Sequence, residues 1–170
     1  MKILVVLGPT ATGKTDLALK LAKKFNGELV SCDSRQVYRG LDIGTGKMPS
    51  KKSKLIKQDG RWIINGINVW MYDVINPKDQ YNVARFVSQA NKVIKNINSR
   101  GKLPILVGGT GLYIKTLVEG LSNLSFPVDL SLRKKLNEFS KEDLQINLKK
   151  ISTERWKKMN YSDRQNPRRL

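Results

Sequence analysis

The feature that most constrains the fold is an apolar run that leads directly into a glycine loop and then a helix. Lys2–Leu7 (KILVVL) is apolar and rich in β-branched residues, which predicts a buried parallel strand, and we expect it to be the central one. Thr15–Phe25 has apolar residues at helical spacing and stops at Asn26-Gly27. Glu28–Ser31 predicts a second strand, so the chain opens with a β-loop-α-β unit.

The loop between this strand and helix, GPTATGKT, fits the pattern G-x-x-x-x-G-K-[ST]. Its position after a strand and before a helix is typical of a phosphate-binding P-loop, in which backbone N–H groups and the helix N-terminus face phosphate oxygens. Lys14 would neutralise the outer phosphate, and the Thr15 hydroxyl would bind Mg²⁺. The predicted phosphate-binding residues are Gly8, Pro9, Thr10, Ala11, Thr12, Gly13, Lys14 and Thr15.

The alternation of strands and helices continues along the chain. Leu55–Gln58 and Trp62–Trp70 flank Asp59-Gly60, a strong hairpin signal. Asn82 is placed to cap a helix with one apolar stripe, and the apolar run Leu103–Val107 then predicts another buried strand. That strand leads into a second glycine loop, Gly-Gly-Thr-Gly, and a helix from Leu112 to Leu117.

The character of the sequence changes after Pro127, where short amphipathic stretches such as Leu130–Phe139 and Leu144–Ile151 replace strand formers. We therefore predict an α/β fold with a P-loop NTPase-like parallel sheet flanked by helices, and a small helical insertion segment. The predicted division is residues 1–126 for the P-loop core and residues 127–170 for a basic helical segment.

Composition excludes several kinds of chemistry. The 170 residues contain no histidine and a single cysteine, Cys32, which rules out histidine-dependent catalysis, an intrachain disulfide and a cysteine-rich zinc site. No apolar run approaches the ~20 residues that span a bilayer, and the N-terminus lacks the features of a signal peptide. We expect a cytoplasmic protein that does not enter a membrane.

Net charge points to a polyanionic partner. Lysine and arginine number 32 against 14 acidic residues, giving +18, which favours nucleic acid binding. The abundance of Lys, Asn and Ile also fits a general compositional bias, so charge alone leaves both explanations open.

A second chemical motif follows the second predicted strand, at Asp33-Ser34-Arg35-Gln36. The carboxyl ends of parallel strands meet at one edge of a sheet, so Asp33 is expected to face the phosphates held by the P-loop. Its functional interpretation is a general base; the alternative is a helix cap or a group that orients Mg²⁺. Gln36 has an amide suited to hydrogen bonding with the edge of a nucleic-acid base.

Four blocks of the sequence together resemble one enzyme family. GPTATGKT, DSRQVYRGLDIGTGK at residues 33–47, GKLPILVGGTGLY at 101–113 and NPRRL at 166–170 occur in the order typical of tRNA dimethylallyltransferases, also called tRNA isopentenyltransferases. The resemblance covers nearly the whole chain. The P-loop alone is generic, but the second and third blocks are specific.

The resemblance implies Mg²⁺-assisted transfer of a dimethylallyl group from dimethylallyl diphosphate to N6 of adenine 37 in the tRNA anticodon stem-loop. It implies Asp33, Lys14 and Thr10 as catalytic residues, with Thr10 to Thr15 holding the diphosphate and Thr15 on the metal. The implied tRNA contacts are Asp33, Ser34, Arg35, Gln36, Thr110, Arg133, Arg168 and Arg169. The target base must leave the anticodon-loop stack to reach such a pocket. We expect a monomer.

The chain departs from the family pattern in two respects. The family usually has a His-His-Leu stretch near Trp70-Met71-Tyr72, where this chain has no histidine. Family members are also much longer, so we expect a truncated form whose activity is weakened or absent. Two alternatives stay open: a non-catalytic tRNA-binding fragment, and a P-loop transferase or kinase that acts on a free nucleotide. Salt-dependent binding would separate a broad RNA surface from a small-molecule site.

Overall fold

The computed structural model describes residues 2–49, 52–121 and 129–170 of the chain. The chain divides into two compact units, Met1–Ser125 and Phe126–Leu170, which are described here one at a time. The boundary predicted from composition, at Pro127, lies outside the described residues, so the assignment of two functional domains stays a prediction.

The first unit is built on a six-stranded mixed sheet with the strand order β1-β6-β2-β5-β4-β3. β1, β6, β2 and β5 run parallel, whereas β3 and β4 form the predicted hairpin and pair antiparallel. The strands are β1 (Leu4–Leu7), β2 (Gly27–Ser31), β3 (Leu55–Gln58), β4 (Arg61–Ile64), β5 (Ile67–Trp70) and β6 (Leu103–Gly108). The helices of this unit are α1 (Lys14–Lys24), α2 (Val83–Ser99) and α3 (Gly111–Glu119). The α/β prediction is therefore confirmed.

The expectation that the first strand is central is wrong for the sheet formed by the described residues. β1 pairs only with β6 there and lies at the edge of the sheet. Val5 and Leu7 are 39% and 59% exposed, as expected for an edge strand, while Ile105 and Leu106 of β6 are fully buried. An apolar run of this length predicts a strand but does not predict its neighbours.

The run Trp62–Trp70 is likewise not one strand. It is broken at Asn65-Gly66, where both residues have positive φ (51° and 80°), and β4 turns back antiparallel onto β5. Asn-Gly is the residue pair that such a two-residue turn favours, because both positions need the left-handed region. The sequence therefore contains the turn signal, Asn65-Gly66, but it lies inside the apolar run Trp62–Trp70, which as a whole predicts a single strand.

The core lies on both faces of the sheet. α1 packs on one face, where Ala18 and Ala22 join Leu29 and Ile105 in one apolar cluster. α2 and α3 cover the other face, and its cluster is formed by Val30, Leu106, Phe86, Ala90, Ile94, Ile97, Tyr113 and Ile114. Adjacent residues of a strand point to opposite faces, which explains why both faces of these strands are apolar. The predicted helix cap is also present: Asn82 accepts from the Arg85 amide at 2.9 Å.

The second unit contains four short helices, α4 (Leu130–Leu136), α5 (Lys141–Ile151), α6 (Thr153–Lys158) and α7 (Tyr161–Arg164). Leu144 and Leu148 of α5 are its buried apolar residues. Lys149 and Arg164 place their cations 4.6 and 4.7 Å from the centre of the Trp156 ring. Within the described parts of the chain, no helix has the length and apolar character needed to cross a membrane.

Candidate functional site

The P-loop has the backbone conformation that a phosphate cradle requires. Gly13 and Ala11 have φ of 79° and 65°, so the loop bends sharply before α1 begins at Lys14. The Thr12 hydroxyl donates to the Pro9 carbonyl at 2.9 Å, and the Lys14 ammonium donates to the same carbonyl. The first-turn N–H groups of α1 therefore face the loop beside a lysine and the Thr15 hydroxyl, an arrangement suited to binding phosphate.

A close approach of β2 and β6 builds the opposite wall of the site. The Cys32 amide donates to the Val107 carbonyl at 2.8 Å, and the Thr110 amide donates to the Cys32 carbonyl at 3.2 Å. A Cβ on Gly108 would overlap the backbone of Cys32, so this position has space for glycine alone. The close contact brings Asp33, which follows β2, next to the second glycine loop.

Asp33 and Thr110 are held in this position by backbone hydrogen bonds. Asp33 Oδ1 accepts from the Arg35 amide at 2.9 Å, which fixes the carboxylate in an Asx turn. The Ser34 amide donates to Thr110 Oγ1 at 3.0 Å. Asp33 Oδ2 has no hydrogen-bond partner among the described residues, so it can accept a proton from a bound molecule.

Two adjoining cavities of about 320 Å³ each lie at this edge of the sheet. The first is lined by the P-loop residues from Thr10 to Thr15, and the second by Ser34, Arg35 and Thr110. Three residues line both cavities: Thr10, Asp33 and Thr45. The residues expected to hold phosphate and those expected to hold the acceptor are therefore brought together, with Asp33 between them.

The side-chain amide of Gln36 is hydrogen-bonded within the protein rather than left open for a nucleic-acid base. Its Oε1 accepts from Ser31 Oγ at 2.6 Å, and its Nε2 donates to the Thr45 carbonyl at 2.8 Å. The side chain is 9% exposed, although it reaches the first cavity. Gln36 thus connects the end of β2 to the loop that follows Asp33, and its role toward RNA stays a prediction.

The acidic groups around Asp33 are kept in their neutral forms. Burial, reinforced by the charge of Asp33, raises the pKa of the Cys32 thiol far above its usual value. Burial, together with the charges of Asp33 and Asp73, also raises the pKa of the Tyr72 hydroxyl. Neither side chain can serve as a nucleophile or base near neutral pH, so the bases that the first cavity offers are the carboxylates of Asp33 and Asp16.

The sequence prediction missed part of the lining. Thr45, Gly46, Met48 and Pro49 all line the first cavity and belong to the turn-rich segment after Asp33. Thr45 and Gly46 lie within the family block at residues 33–47, and the glycines of the segment signal turns, since Gly44 and Gly46 have φ of 77° and 71°. A loop that returns to the site over about ten residues leaves no periodic pattern in the sequence.

The remaining predicted tRNA contacts lie in the second unit. Arg133 is exposed on α4. Arg168 and Arg169 are exposed and lie in a turn after α7. Arg169 forms an ion pair with Asp163. All three arginines keep the exposure that a phosphate contact needs.

The first cavity has the oxygen ligands that Mg²⁺ prefers. The Thr15 hydroxyl and the carboxylates of Asp16 and Asp33 line it. Among the described residues, no group of three or more Cys, Asp or Glu side chains forms a metal site by itself. Mg²⁺ commonly uses one or two protein ligands together with phosphate oxygens and water, so Thr15 with a bound diphosphate fits this ion.

Comparison with known proteins agrees with this geometry. The chain is 41% identical over its full length to a tRNA dimethylallyltransferase of Endomicrobium trichonymphae, of which it covers 54%. The crystal structure of a full-length tRNA isopentenylpyrophosphate transferase from Bacillus halodurans matches 99% of the chain at 34% identity and a TM-score of 0.63, over 52% of that protein. A eukaryotic dimethylallyltransferase acting on tRNA matches 98% of the chain at 27% identity and a TM-score of 0.76, over 39% of that protein.

The chain thus spans about half the length of the curated relatives that it matches. The family model described as IPP transferase matches residues 36–170, which begin directly after the Asp33-Ser34-Arg35 segment of the site. With this match and its full-length similarity to a curated relative, the chain belongs to the IPP transferase family.

Proposed function

We propose that this chain carries the transfer site of a tRNA dimethylallyltransferase, with dimethylallyl diphosphate bound at the P-loop and an adenine of the anticodon loop in the second cavity. The observation that carries the proposal is the shared lining of the two cavities by Asp33, Thr10 and Thr45. A donor and an acceptor held in adjoining cavities meet at the residues common to both. A cytoplasmic location and a monomeric state belong to the same proposal.

The proposed reaction is a displacement at the allylic carbon. The adenine N6 forms a bond to C1 of the dimethylallyl group while the C1–O bond breaks. The electron pair of the broken C1–O bond stays on the diphosphate. The departing charge is stabilised by the N-terminus of α1 and by Lys14, whose ammonium leaves the Pro9 carbonyl for a phosphate oxygen. The N6 proton moves to Asp33 Oδ2, the oxygen that the Asx turn leaves open.

Two further groups complete the proposed donor site. Thr10 lines both cavities, and we propose that it contacts the diphosphate beside the transferred group. Mg²⁺ bound by Thr15 would supply Lewis-acid stabilisation of the diphosphate charge. The P-loop amides and Lys14 bind the same phosphates, so the chain's own groups provide the rest of the electrostatic stabilisation.

Residues in each of the two units are proposed to contact RNA. Ser34, Arg35 and Thr110 line the second cavity, where the extruded adenine would lie. The exposed Arg133, Arg168 and Arg169 are proposed to contact RNA phosphates, in line with the net charge of +18. Replacing any of these arginines is expected to weaken the binding of all stem-loops about equally, because phosphate contacts do not select among sequences.

The proposal is tested by transfer of radiolabelled dimethylallyl from its diphosphate to an anticodon stem-loop, in the presence of Mg²⁺. Asp33→Asn is the informative variant, because an amide oxygen can still accept from the Arg35 amide but cannot take a proton at neutral pH. Label on N6 in the wild-type chain, reduced by roughly a hundredfold or more in Asp33→Asn, is the expected result. Lys95→Met, on the exposed face of α2, is the matched control.

Three other results would contradict the proposal in different ways. Salt-sensitive binding of the stem-loop without transfer indicates an RNA-binding fragment. Transfer to free AMP but not to the stem-loop indicates a small-molecule transferase. Full transfer by Asp33→Asn removes Asp33 from the role of base, whatever the substrate.

A further inference from the structure

Lys47 is a fully buried lysine outside the residues that line the two cavities. Its side chain is 0% exposed, and its ammonium makes three hydrogen bonds. It donates to Asp73 Oδ1 at 2.7 Å, to Asp42 Oδ1 at 3.2 Å and to the Tyr38 carbonyl at 2.6 Å. Every ammonium hydrogen is used, so Lys47 has nothing left to offer a ligand.

Its main partner, Asp73, is also fixed from several sides. Asp73 has a φ of 53°, a conformation that is costly for a residue other than glycine. Its Oδ2 accepts from the buried Trp62 indole at 2.5 Å, and its backbone amide donates to the Gln36 carbonyl at 3.3 Å. Asp73 therefore holds Lys47 by its side chain and Gln36 by its backbone.

These bonds join the segment 36–47 at both of its ends. Gln36 is bonded to the end of β2 through Ser31 and to the far side of the segment through the Thr45 carbonyl. Lys47 closes the segment by reaching back to the Tyr38 carbonyl and across to Asp73. Thr45, which lines both cavities, lies between these two fixed points.

Electrostatics argues that this arrangement serves more than stability. Burying the Lys47 ammonium and the Asp73 carboxylate carries a desolvation cost that well-packed apolar side chains would avoid. The second carboxylate, Asp42, is also paired with Lys57, so the group is held as an alternating chain of charges. The hydrogen bonds among Lys47, Asp73 and Asp42 fix one conformation of segment 36–47, because each bond has a defined direction and partner.

We propose that Lys47 is a positioning residue for the acceptor side of the proposed reaction: its bonds to Asp73 and Asp42 hold segment 36–47 so that Thr45, which lines both cavities, and Gln36, which lines the first, keep their positions beside Asp33. This inference rests on the proposed function for the identity of the acceptor. It assigns Lys47 no contact with substrate. Gln36, Thr45 and Gly46 also line the first cavity, but the groups proposed to bind phosphate, the α1 amides and Lys14, lie outside segment 36–47. The effect of Lys47 is therefore expected on the acceptor and not on pyrophosphate binding at the P-loop.

The direct test is hydrogen–deuterium exchange of the 170-residue chain, read by mass spectrometry on peptides from segment 36–47 and from β6. Lys47→Met removes the ammonium at similar length. Asp42→Asn is a milder second variant, because it leaves the Lys47–Asp73 pair intact. It provides the test if Lys47→Met does not fold. Lys95→Met, exposed on α2, is the control.

We expect exchange in segment 36–47 to become roughly tenfold faster in Lys47→Met, less so in Asp42→Asn, with β6 unchanged. Equal acceleration of the segment and β6 would show a role in global stability alone and would overturn the proposal. Unchanged exchange of the segment in both variants would overturn it as well.

A second readout follows the acceptor without requiring transfer. In an anticodon stem-loop with 2-aminopurine in place of the acceptor adenine, the fluorescence of that base increases (the stem-loop brightens) when the base leaves the stack. We expect Lys47→Met to bind this stem-loop within about threefold of the wild-type affinity but to lose most of the brightening. Inorganic pyrophosphate should bind the variant as it binds the wild-type chain.

The two readouts separate this inference from the proposed function. If the wild-type chain brightens the stem-loop but transfers no label, the proposed chemistry is wrong, while loss of brightening in Lys47→Met still supports the positioning role. If transfer occurs and brightening persists in Lys47→Met, the proposed function stands and the positioning role is overturned. With transfer present, kcat for the stem-loop should fall in Lys47→Met while KM for the diphosphate stays constant.

Discussion

Thr110 accepts a hydrogen bond from the backbone amide of Ser34 over 3.0 Å, although the two residues are 76 positions apart in the chain. Thr110 stands at the N-cap position of α3, yet its hydroxyl makes no bond to the helix. It bonds instead to the segment that carries Asp33. One hydroxyl thus fixes the second glycine loop against the proposed base.

Thr110→Val should separate this positioning role from helix capping. Valine keeps the shape of threonine but cannot accept from the Ser34 amide, so Asp33 loses part of its support. Because α3 gains no cap bond from Thr110, we expect the free energy of unfolding to fall by no more than about 1 kcal/mol. We expect the transfer rate to fall roughly tenfold.

The conservative variant Thr110→Ser supplies the control, since it keeps the acceptor oxygen. Single-turnover transfer kinetics and urea denaturation of the three proteins measure the two effects separately. A Thr110→Val protein with the wild-type rate would show that the Ser34 contact has no part in placing Asp33.

Gly108→Ala should test the close approach that builds the site. A Cβ at this position overlaps the Cys32 backbone. Backbone atoms of paired strands cannot move aside as a flexible side chain can. We expect a loss of about 1–3 kcal/mol in the free energy of unfolding, measured by urea denaturation. Gly111→Ala, where a Cβ meets nothing within 4 Å at the start of α3, is the matched control. Equal stability of the two variants would mean that β2 and β6 can separate at Cys32 without cost.

Local sequence signals predicted the P-loop well because every part of that motif is contiguous. Strand, loop, Lys14 and helix follow one another within residues 2–25, and the structure places them as the pattern requires. Asp33 was also predicted correctly to lie beside the phosphate loop, since the ends of parallel strands share one edge of a sheet. Its lining of both cavities follows from that rule together with the second glycine loop.

The parts that were missed depend on contacts between distant residues. The edge position of β1 is decided by which strand pairs with β6, and no residue of Leu4–Leu7 encodes that choice. Lys47 is one of 32 basic residues, and only the fold shows that it is buried against Asp73. The engaged amide of Gln36 likewise depends on a loop that returns to it at Thr45.

Glu28 should make stability depend on acid pH. Its carboxylate is 1% exposed and accepts from both Nη atoms of Arg100 at 2.6 and 2.7 Å and from Lys102 at 2.8 Å. Burial alone would raise the pKa of this carboxyl, but the bonds from Arg100, Lys102, Trp70 and Asn68 outweigh it and hold the pKa well below its ordinary value. Glu28 therefore stays charged in the folded chain at pH values where the unfolded chain takes up a proton.

A lowered pKa in the folded state contributes stability above the ordinary Glu pKa of about 4.3, and that contribution is lost as pH falls below it. We expect the free energy of unfolding to decline from about pH 5 downward, and the decline to be shallower in Glu28→Gln. That variant should lose about 3 kcal/mol at neutral pH, because Arg100 and Lys102 lose their anion. The control is Glu138→Gln, at an exposed position, which should reproduce the wild-type dependence of stability on pH. If Glu28→Gln also reproduced it, the buried ion pairs of Glu28 would contribute nothing to that dependence.

Lys14→Met should weaken diphosphate binding while sparing the fold. The Lys14 ammonium donates to the Pro9 carbonyl of its own loop, so its loss leaves no buried carboxylate unpaired. Isothermal titration with inorganic pyrophosphate and Mg²⁺ should show affinity at least about tenfold weaker, since one full positive charge leaves the phosphate site. Stem-loop affinity should change by less than about threefold, because Lys14 lines only the first of the two cavities. Lys20→Met, on the exposed face of α1, controls for the loss of one charge near the site. If Lys14→Met bound pyrophosphate like the wild-type chain but lost the stem-loop, the two cavities would have the reverse of the proposed assignment.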